Sequence, residues 1–254
     1  MNKNGFIVFD EVYKRFGPVR VLDGLSFEVR RGESLVLIGQ SGTGKSVTLR
    51  CLLGLLLPDR GRILFEGKNV PDMDEVELVE LRGHFGMLFQ GSALFDSLTV
   101  GENVAFGLEA RGRKSPEEIV AIVASTLRSV GLPGIEDKMP AELSGGMKKR
   151  VALARAVAME PDVILYDEPT TGIDPIMADA INDLILSLQK QYNVTSLIVT
   201  HDMTSAYKIA DRIVMLHEGR IVGEGTPEEV RNTTDPLLRQ FIRGEARGPI
   251  AAIK

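Results

Sequence analysis

The chain has 254 residues, of which 44% are hydrophobic and 26% are charged, and its formal net charge is −5. This length and composition fit one large domain, or a core with an insertion, and they exclude a disordered chain. The acidic balance argues against a general affinity for polyanions, so we expect no nucleic-acid partner.

Short apolar runs alternate along the chain with longer segments of helical periodicity. The apolar runs predict strands at 5–12, 25–29, 34–38, 62–65, 85–89, 163–166, 195–200 and 212–216. The periodic segments predict helices at 45–56, 74–82, 116–130, 144–159, 175–191 and 204–210. This alternation indicates an α/β fold with a mainly parallel sheet, and the absence of a strand pattern at 91–159 predicts a helical insertion.

Residues 39–46 match the phosphate-loop pattern GxxxxGK[ST], directly after an apolar strand and at the start of a predicted helix. Glycines permit the tight path of such a loop, and the helix N-terminus favours anions. We predict that Lys45 holds the β- and γ-phosphates of ATP and that the Ser46 hydroxyl ligates Mg²⁺. The predicted nucleotide contacts of this segment are Gly39, Gln40, Ser41, Gly42, Thr43, Gly44, Lys45, Ser46 and Val47.

A second motif is acidic. Asp167 and Glu168 directly follow the apolar run at 163–166. A carboxylate at the end of a strand suits Mg²⁺, and we assign that role to Asp167. Glu168, one residue further, can accept a proton from water or orient it for attack on the γ-phosphate. Together with the phosphate loop, this pair predicts a nucleotide triphosphatase.

The segment Leu143, Ser144, Gly145, Gly146 and Met147 resembles the signature motif of ATP-binding-cassette ATPases, and it lies between the two elements above, as in that family. Gln90 is similar to the glutamine that the family carries in a loop, Asp174 to its D-loop aspartate, and His201 to its switch histidine. Phe16 stands where the family has an aromatic residue that stacks on adenine.

The resemblance implies a P-loop NTPase fold with a RecA-like core, an N-terminal antiparallel β-subdomain and an inserted helical subdomain. It implies catalytic roles for Glu168, His201 and Gln90, with Gln90 also joining Ser46 and Asp167 at the metal. We expect core segments at 1–90 and 160–243, a helical subdomain at 91–159, and a C-terminal tail at 244–254 that is a possible interface.

In the family, the signature motif of one cassette completes the ATP site of another. The chain carries one set of motifs, so the resemblance implies a homodimer in which Ser144 and Gly146 meet the partner's ATP. A transmembrane permease subunit is then expected to receive the work of hydrolysis. The longest apolar run, 51–57, is much shorter than the about 20 residues of a membrane span.

Departures from the commonest family pattern indicate which group of these ATPases the chain resembles. Met147 replaces the usual glutamine, and the segments 91–100, 148–150 and 171–173 are similar to the ATPases of bacterial phospholipid transporters of the mammalian-cell-entry (MCE) type. This implies an ATPase at the cytoplasmic face of the bacterial inner membrane, with an MCE substrate-binding protein and a small STAS-domain protein as partners. Another ABC importer or exporter, or less readily a soluble cassette of DNA repair or translation, remains an alternative.

Residues 1–20 lack the pattern of a secretory leader and the single cysteine, Cys51, excludes an internal disulfide, so we expect a reducing, cytoplasmic location. Asp74 and Glu77 predict a capping box at the start of a solvated helix. The cations Lys148, Lys149 and Arg150 are expected to be solvated. The apolar patch Leu237, Leu238, Phe241 and Ile242 is either an interface or part of the chain's own core.

Overall fold

The computed structural model describes residues 5–250 and divides the chain into two compact units. The first unit comprises Met1–Glu80 and Leu197–Lys254, and the second comprises Leu81–Ser196. The strands are β1 Ile7–Phe16, β2 Val19–Val29, β3 Ser34–Ile38, β4 Arg60–Phe65, β5 Lys68–Asn69, β6 Phe85–Leu88, β7 Val163–Asp167, β8 Thr195–Thr200, β9 Arg212–His217 and β10 Arg220–Gly225. The α-helices are α1 Lys45–Leu52, α2 Glu75–Arg82, α3 Val100–Arg111, α4 Pro116–Ser129, α5 Gly145–Ala158, α6 Pro175–Tyr192, α7 Met203–Ile209, α8 Pro227–Arg231 and α9 Pro236–Arg243.

An antiparallel sheet in the first unit has the strand order β2-β1-β4-β5. Ile7 of β1 pairs with Val29 of β2 and with Phe65 of β4, so β1 is central. Phe9 is fully buried, and its ring stacks on that of Phe27 at 4.5 Å between centroids. The predicted strands 5–12 and 25–29 are too short, because the hairpin ends of β1 and β2 are exposed and lack an apolar pattern.

The first unit also contains a group of strands with parallel pairing. β3 runs parallel to β9, with Leu35 opposite Arg212, and β8, most of which belongs to this unit, lies on its other side. All residues of β3 are buried, as expected for a central parallel strand. β10 was not predicted, because glycines interrupt it and its residues alternate only between exposed and half-buried.

The second unit places the parallel pair β6 and β7 beside a helical region formed by α3, α4 and α5. Between Leu88 and Val163 the described chain has no strand, which confirms the predicted helical insertion. Helix α3 was not predicted from the sequence, although its start carries a complete capping box of Thr99 and Glu102. Glycines interrupt the apolar pattern of α3. One of them, Gly107, packs closely, because a Cβ there would lie 2.9 Å from the sulfur of Met159.

Two local predictions about helices have different outcomes. The capping box at α2 is confirmed, since the Asp74 N–H donates to Glu77 and the Glu77 N–H donates to Asp74. The helix predicted at 45–56 is too long, because α1 ends at Leu52 and the chain turns at Gly54. Gly54 has φ +62, and a Cβ there would lie 2.4 Å from Leu78, so this turn requires glycine.

Candidate functional site

The phosphate loop of the first unit depends on glycines that approach neighbouring backbone. A Cβ at Gly39 would lie 2.4 Å from the carbonyl oxygen of Leu216 at the end of β9. Gly44 has φ +104, and its Cβ would lie 3.0 Å from the carbonyl oxygen of Val21. Gly42 has φ +82 and faces open space. The loop between β3 and α1 therefore has a path that side chains would block, which is what close approach of phosphate requires.

Lys45 is the first residue of α1 and only 6% exposed. Its Nζ donates hydrogen bonds to the carbonyl oxygens of Gly39 at 2.7 Å and Gln40 at 3.0 Å. The ammonium thus lies within the curve of its own loop, next to the start of a helix that has no side-chain cap. Positive charge and a helix N-terminus at one place suit a phosphate group.

Two further predicted residues belong to the first unit. Phe16 ends β1 with 48% of its surface exposed, and the Lys14 Nζ lies 5.7 Å from its ring centroid. His201 directly follows β8 and is exposed. Its neighbour Asp202 caps α7 by accepting hydrogen bonds from the N–H groups of Thr204 and Ser205. The cap fixes the backbone on one side of His201 and the strand fixes it on the other.

In the second unit, Asp167 is the last residue of β7 and is half-buried, and Glu168 follows it with 8% exposure. Glu168 has φ +52, a left-handed conformation that residues other than glycine rarely adopt. Its carboxylate accepts a hydrogen bond from the Thr171 hydroxyl at 3.1 Å. A buried carboxylate on strained backbone is a feature that concentrates at functional sites.

The signature segment lies at the start of α5. Ser144 caps the helix by accepting a hydrogen bond from the Met147 N–H at 3.3 Å. A Cβ at Gly145 would meet nothing within 4 Å, whereas a Cβ at Gly146 would lie 2.3 Å from the terminal methyl of Met177 on α6. Gly145 is therefore open to the exterior, and Gly146 packs against the end of the Met177 side chain. Asp174, the predicted D-loop residue, caps α6 through the N–H groups of residues 176 and 177.

Gln90 follows β6 and is exposed, at the start of residues 90–95, which we name the glutamine loop. Ser92 and Ala93 have φ +64 and +48, so two consecutive residues other than glycine are left-handed. Arg155 of α5 donates to the carbonyl oxygens of Ser92 at 2.9 Å and Ala93 at 2.7 Å. These hydrogen bonds stabilise a loop conformation that serine and alanine rarely adopt.

The prediction that the cations after the signature are solvated is wrong for Lys149. Lys149 is 4% exposed, and its Nζ donates to the carbonyl oxygen of Gln90 at 3.0 Å. Burial lowers the pKa of Lys149, and the negative charge of Glu168 opposes that shift. The signal was available in the sequence, because Lys149 falls in the buried stripe of α5 at helical spacing from Gly146 and Leu153.

The predicted site residues are therefore distributed over both units. Phe16, the phosphate loop through Val47, and His201 lie in the first unit. The glutamine loop, the signature segment with its buried Leu143, the acidic pair and Asp174 lie in the second. Among residues 5–250, no group of three or more His, Cys, Asp or Glu side chains could hold a metal ion. In the same range, no helix has both the length and the apolar character of a membrane span.

Comparisons with known proteins cover most of the chain. A family model described as ABC transporter matches residues 22–171. The Arabidopsis thaliana protein named TRIGALACTOSYLDIACYLGLYCEROL 3, chloroplastic, is 44% identical, over 94% of this chain and 74% of that protein. The Haemophilus influenzae protein named intermembrane phospholipid transport system ATP-binding protein MlaF is 40% identical, over 98% of this chain and 94% of that protein.

Another relative and a solved structure extend the comparison. A Mycobacterium leprae protein named probable ribonucleotide transport ATP-binding protein mkl is 43% identical, over 93% of this chain and 68% of that protein. The dimeric ATP-binding cassette MJ0796, solved in a post-hydrolysis state bound to ADP and Pi, superposes with a TM-score of 0.79. It is 31% identical, over 87% of this chain and 98% of that chain.

Proposed function

Because the chain belongs to the ABC transporter family and is one of its ATPases, we propose that it binds MgATP at the phosphate loop and that its hydrolysis drives phospholipid transport. The observation that carries the nucleotide site is the buried Lys45, whose ammonium is bonded to the Gly39 and Gln40 carbonyls of its own loop. An apolar side chain would fill this place better if the residue served only for packing. An ammonium group here balances the negative charge of phosphate directly.

The roles proposed for the first unit concern ATP itself. Backbone N–H groups of the phosphate loop and the Lys45 ammonium hold the β- and γ-phosphates. The exposed ring of Phe16 stacks on the adenine, a contact worth about 1 to 3 kcal/mol by analogy with base stacking in single-strand binders. His201, fixed between β8 and the cap of α7, contacts the γ-phosphate.

Mg²⁺ fits the chemistry of the side chains proposed to hold it. Ser46, Gln90 and Asp167 offer a hydroxyl, an amide and a carboxylate, which are oxygen donors of the kind that this hard cation prefers. When bound, the metal supplies positive charge that neutralises the phosphates.

Hydrolysis requires a water molecule that attacks the γ-phosphorus while ADP leaves. We assign the orientation of that water to Glu168, which accepts its proton as the new P–O bond forms and the bond to the β-phosphate oxygen breaks. The left-handed backbone and the bond from Thr171 hold this carboxylate in one orientation. Gln90 is proposed to assist from the glutamine loop.

The signature segment is proposed to contact the ATP held by a second copy of the chain. Ser144 starts α5, Gly145 leaves the surface open, and the N–H groups of this turn suit an anion. Asp174 is proposed to lie at the same dimer contact. The MJ0796 cassette, 31% identical to this chain, is dimeric in its solved structure, which supports a homodimer.

The transport substrate is proposed from the relatives. The name of the Haemophilus influenzae relative includes intermembrane phospholipid transport, and that protein aligns with 98% of this chain. We propose that the chain works at the cytoplasmic face of a bacterial inner membrane, with a transmembrane permease, an MCE substrate-binding protein and a small STAS-domain protein. The Mycobacterium leprae relative is named for ribonucleotide transport, so a nucleotide-transporting complex is the alternative.

Two variants separate binding from chemistry. Glu168→Gln is expected to bind ATP nearly normally and to hydrolyse it about 10²-fold more slowly, because a positioned proton acceptor is lost. Lys45→Ala is expected to lose ATP binding itself. Equilibrium binding of a fluorescent ATP analogue and phosphate release measure the two quantities. Wild-type turnover of Glu168→Gln would remove its assigned role, and wild-type affinity of Lys45→Ala would remove the assigned nucleotide site.

To test the proposed transport substrate, the chain is tagged, and the complex that contains it is purified from the native membrane in detergent. An MCE-domain protein, a permease and bound phospholipid are expected by mass spectrometry. A complex that lacks phospholipid and whose ATPase rate responds to ribonucleotides would favour the alternative.

A further inference from the structure

Lys149 is a buried cation that the roles above do not use. It is 4% exposed, close to the 6% of Lys45, and it lies in the buried stripe of α5 between Gly146 and Leu153. Removing an ammonium group from water is unfavourable unless partners compensate for it. A lysine that is retained in such a place therefore needs an explanation from its partners.

Those partners both belong to the proposed machinery. The Lys149 Nζ donates to the main-chain carbonyl oxygen of Gln90 at 3.0 Å. The negative charge of Glu168, itself 8% exposed, opposes the lowering of the Lys149 pKa by burial. One buried cation is thus bonded to the first residue of the glutamine loop.

A second cation of α5 holds the same loop further along. Arg155 donates to the Ser92 and Ala93 carbonyl oxygens, and these two residues have the left-handed backbone described above. The Ser92 N–H in turn donates to the Phe89 carbonyl at 2.9 Å. Residues 90–93 are therefore fixed at two points on the helix that starts with the signature motif.

We propose that Lys149 is a positioning residue for ATP hydrolysis, which fixes the Gln90 backbone from the signature helix. The inference rests on the proposed function of Gln90. Lys149 is not assigned a contact with ATP or with the attacking water, and acts through Gln90.

Three substitutions of Lys149 and one control test the proposal in the full chain. Lys149→Met removes the charge and the donor, Lys149→Gln keeps a donor without the charge, and Lys149→Arg keeps both. Lys148→Met is the matched control, because it removes the same charge one residue earlier on the same helix, from a side chain that is half-buried. Phosphate release, ATP affinity and amide hydrogen exchange at Ser92 are measured for each.

For Lys149→Met we expect at least about a tenfold loss of kcat, since small displacements of catalytic groups cost this much or more. ATP affinity should stay within about twofold of the wild-type value, because the phosphate loop is unchanged. Exchange at the Ser92 amide should be faster. Lys149→Arg should recover most of the turnover, Lys149→Gln should fall between, and Lys148→Met should match the wild type.

Two results would overturn the proposal. One is wild-type turnover and exchange in Lys149→Met, which would make the lysine dispensable. The other is a parallel loss of affinity and turnover that Lys149→Arg does not recover, which would mark a purely structural residue. If Lys149→Met does not fold, Lys149→Gln is judged by the same criteria.

The Gln90→Ala background distinguishes failure of this inference from failure of the proposed function. If Lys149 acts by placing the Gln90 side chain, adding Lys149→Met to Gln90→Ala should lower kcat by less than about threefold, because coupled residues are not additive. Turnover of Gln90→Ala at the wild-type rate would refute the role of Gln90 instead. The exchange of Ser92 would then still report whether Lys149 holds the loop.

Discussion

The phosphate loop and the glutamine loop both hold backbone that most residues avoid, and they do so by different means. The phosphate loop uses glycine where neighbouring backbone comes close, and it closes on its own Lys45. The glutamine loop uses Ser92 and Ala93 at positive φ and is held from outside by Arg155 and Lys149 of α5. A loop that closes on itself is recognisable as a contiguous motif, whereas a loop held by a distant helix is not.

We expect the largest effect from replacing a glycine of the phosphate loop. In Gly39→Ala the new Cβ would lie 2.4 Å from the Leu216 carbonyl oxygen, which belongs to the backbone of β9 and cannot rotate away. We expect at least about a hundredfold loss of ATP affinity, about 2.7 kcal/mol, measured by equilibrium titration.

Gly91→Ala is the control for Gly39→Ala, because a Cβ at this glutamine-loop position meets nothing within 4 Å. It should bind ATP like the wild type. Equal effects of the two alanines would show that the phosphate loop does not depend on the close approach at residue 39.

A smaller effect is expected when the glutamine loop loses its outer support. Arg155→Met removes the donor to the Ser92 and Ala93 carbonyls and should lower the free energy of unfolding by about 2 kcal/mol, as for hydrogen bonds to a charged group. Urea denaturation measures the loss. Arg150→Met, on the same helix but bonded to Val130, should cost less. An equal cost for the two would mean that the loop contacts add nothing.

The smallest effect concerns strain within the loop. Ala93 has φ +48, a conformation that costs an L-residue about 1 kcal/mol and costs glycine little. Ala93→Gly relieves this strain but makes the unfolded chain more flexible, so the free energy of unfolding should change by less than about 1 kcal/mol. A loss of 2 kcal/mol or more in urea denaturation would contradict this account.

The α/β class, the helical insertion, the phosphate loop and the acidic pair were predictable because local sequence produces each of them. A buried β3 followed by glycines and Lys45 is a contiguous pattern, and Asp167 with Glu168 directly ends an apolar strand. By contrast, α3 was missed because Gly101 and Gly107 interrupt its apolar pattern. These glycines serve contacts with Glu136 and Met159, which are not near in sequence.

The sequence by itself determined which residues are proposed to bind and hydrolyse ATP, since the motifs consist of neighbours along the chain. The helical spacing of α5 already indicates that Lys149 is buried, and only the tertiary structure decided which groups this cation contacts. Lys148 and Lys149 are adjacent and identical in type, but helical geometry turns one toward a half-buried surface and the other into the core. There Lys149 contacts Gln90, 59 positions away. Such a contact depends on the packing of a helix against a loop, which no local pattern encodes.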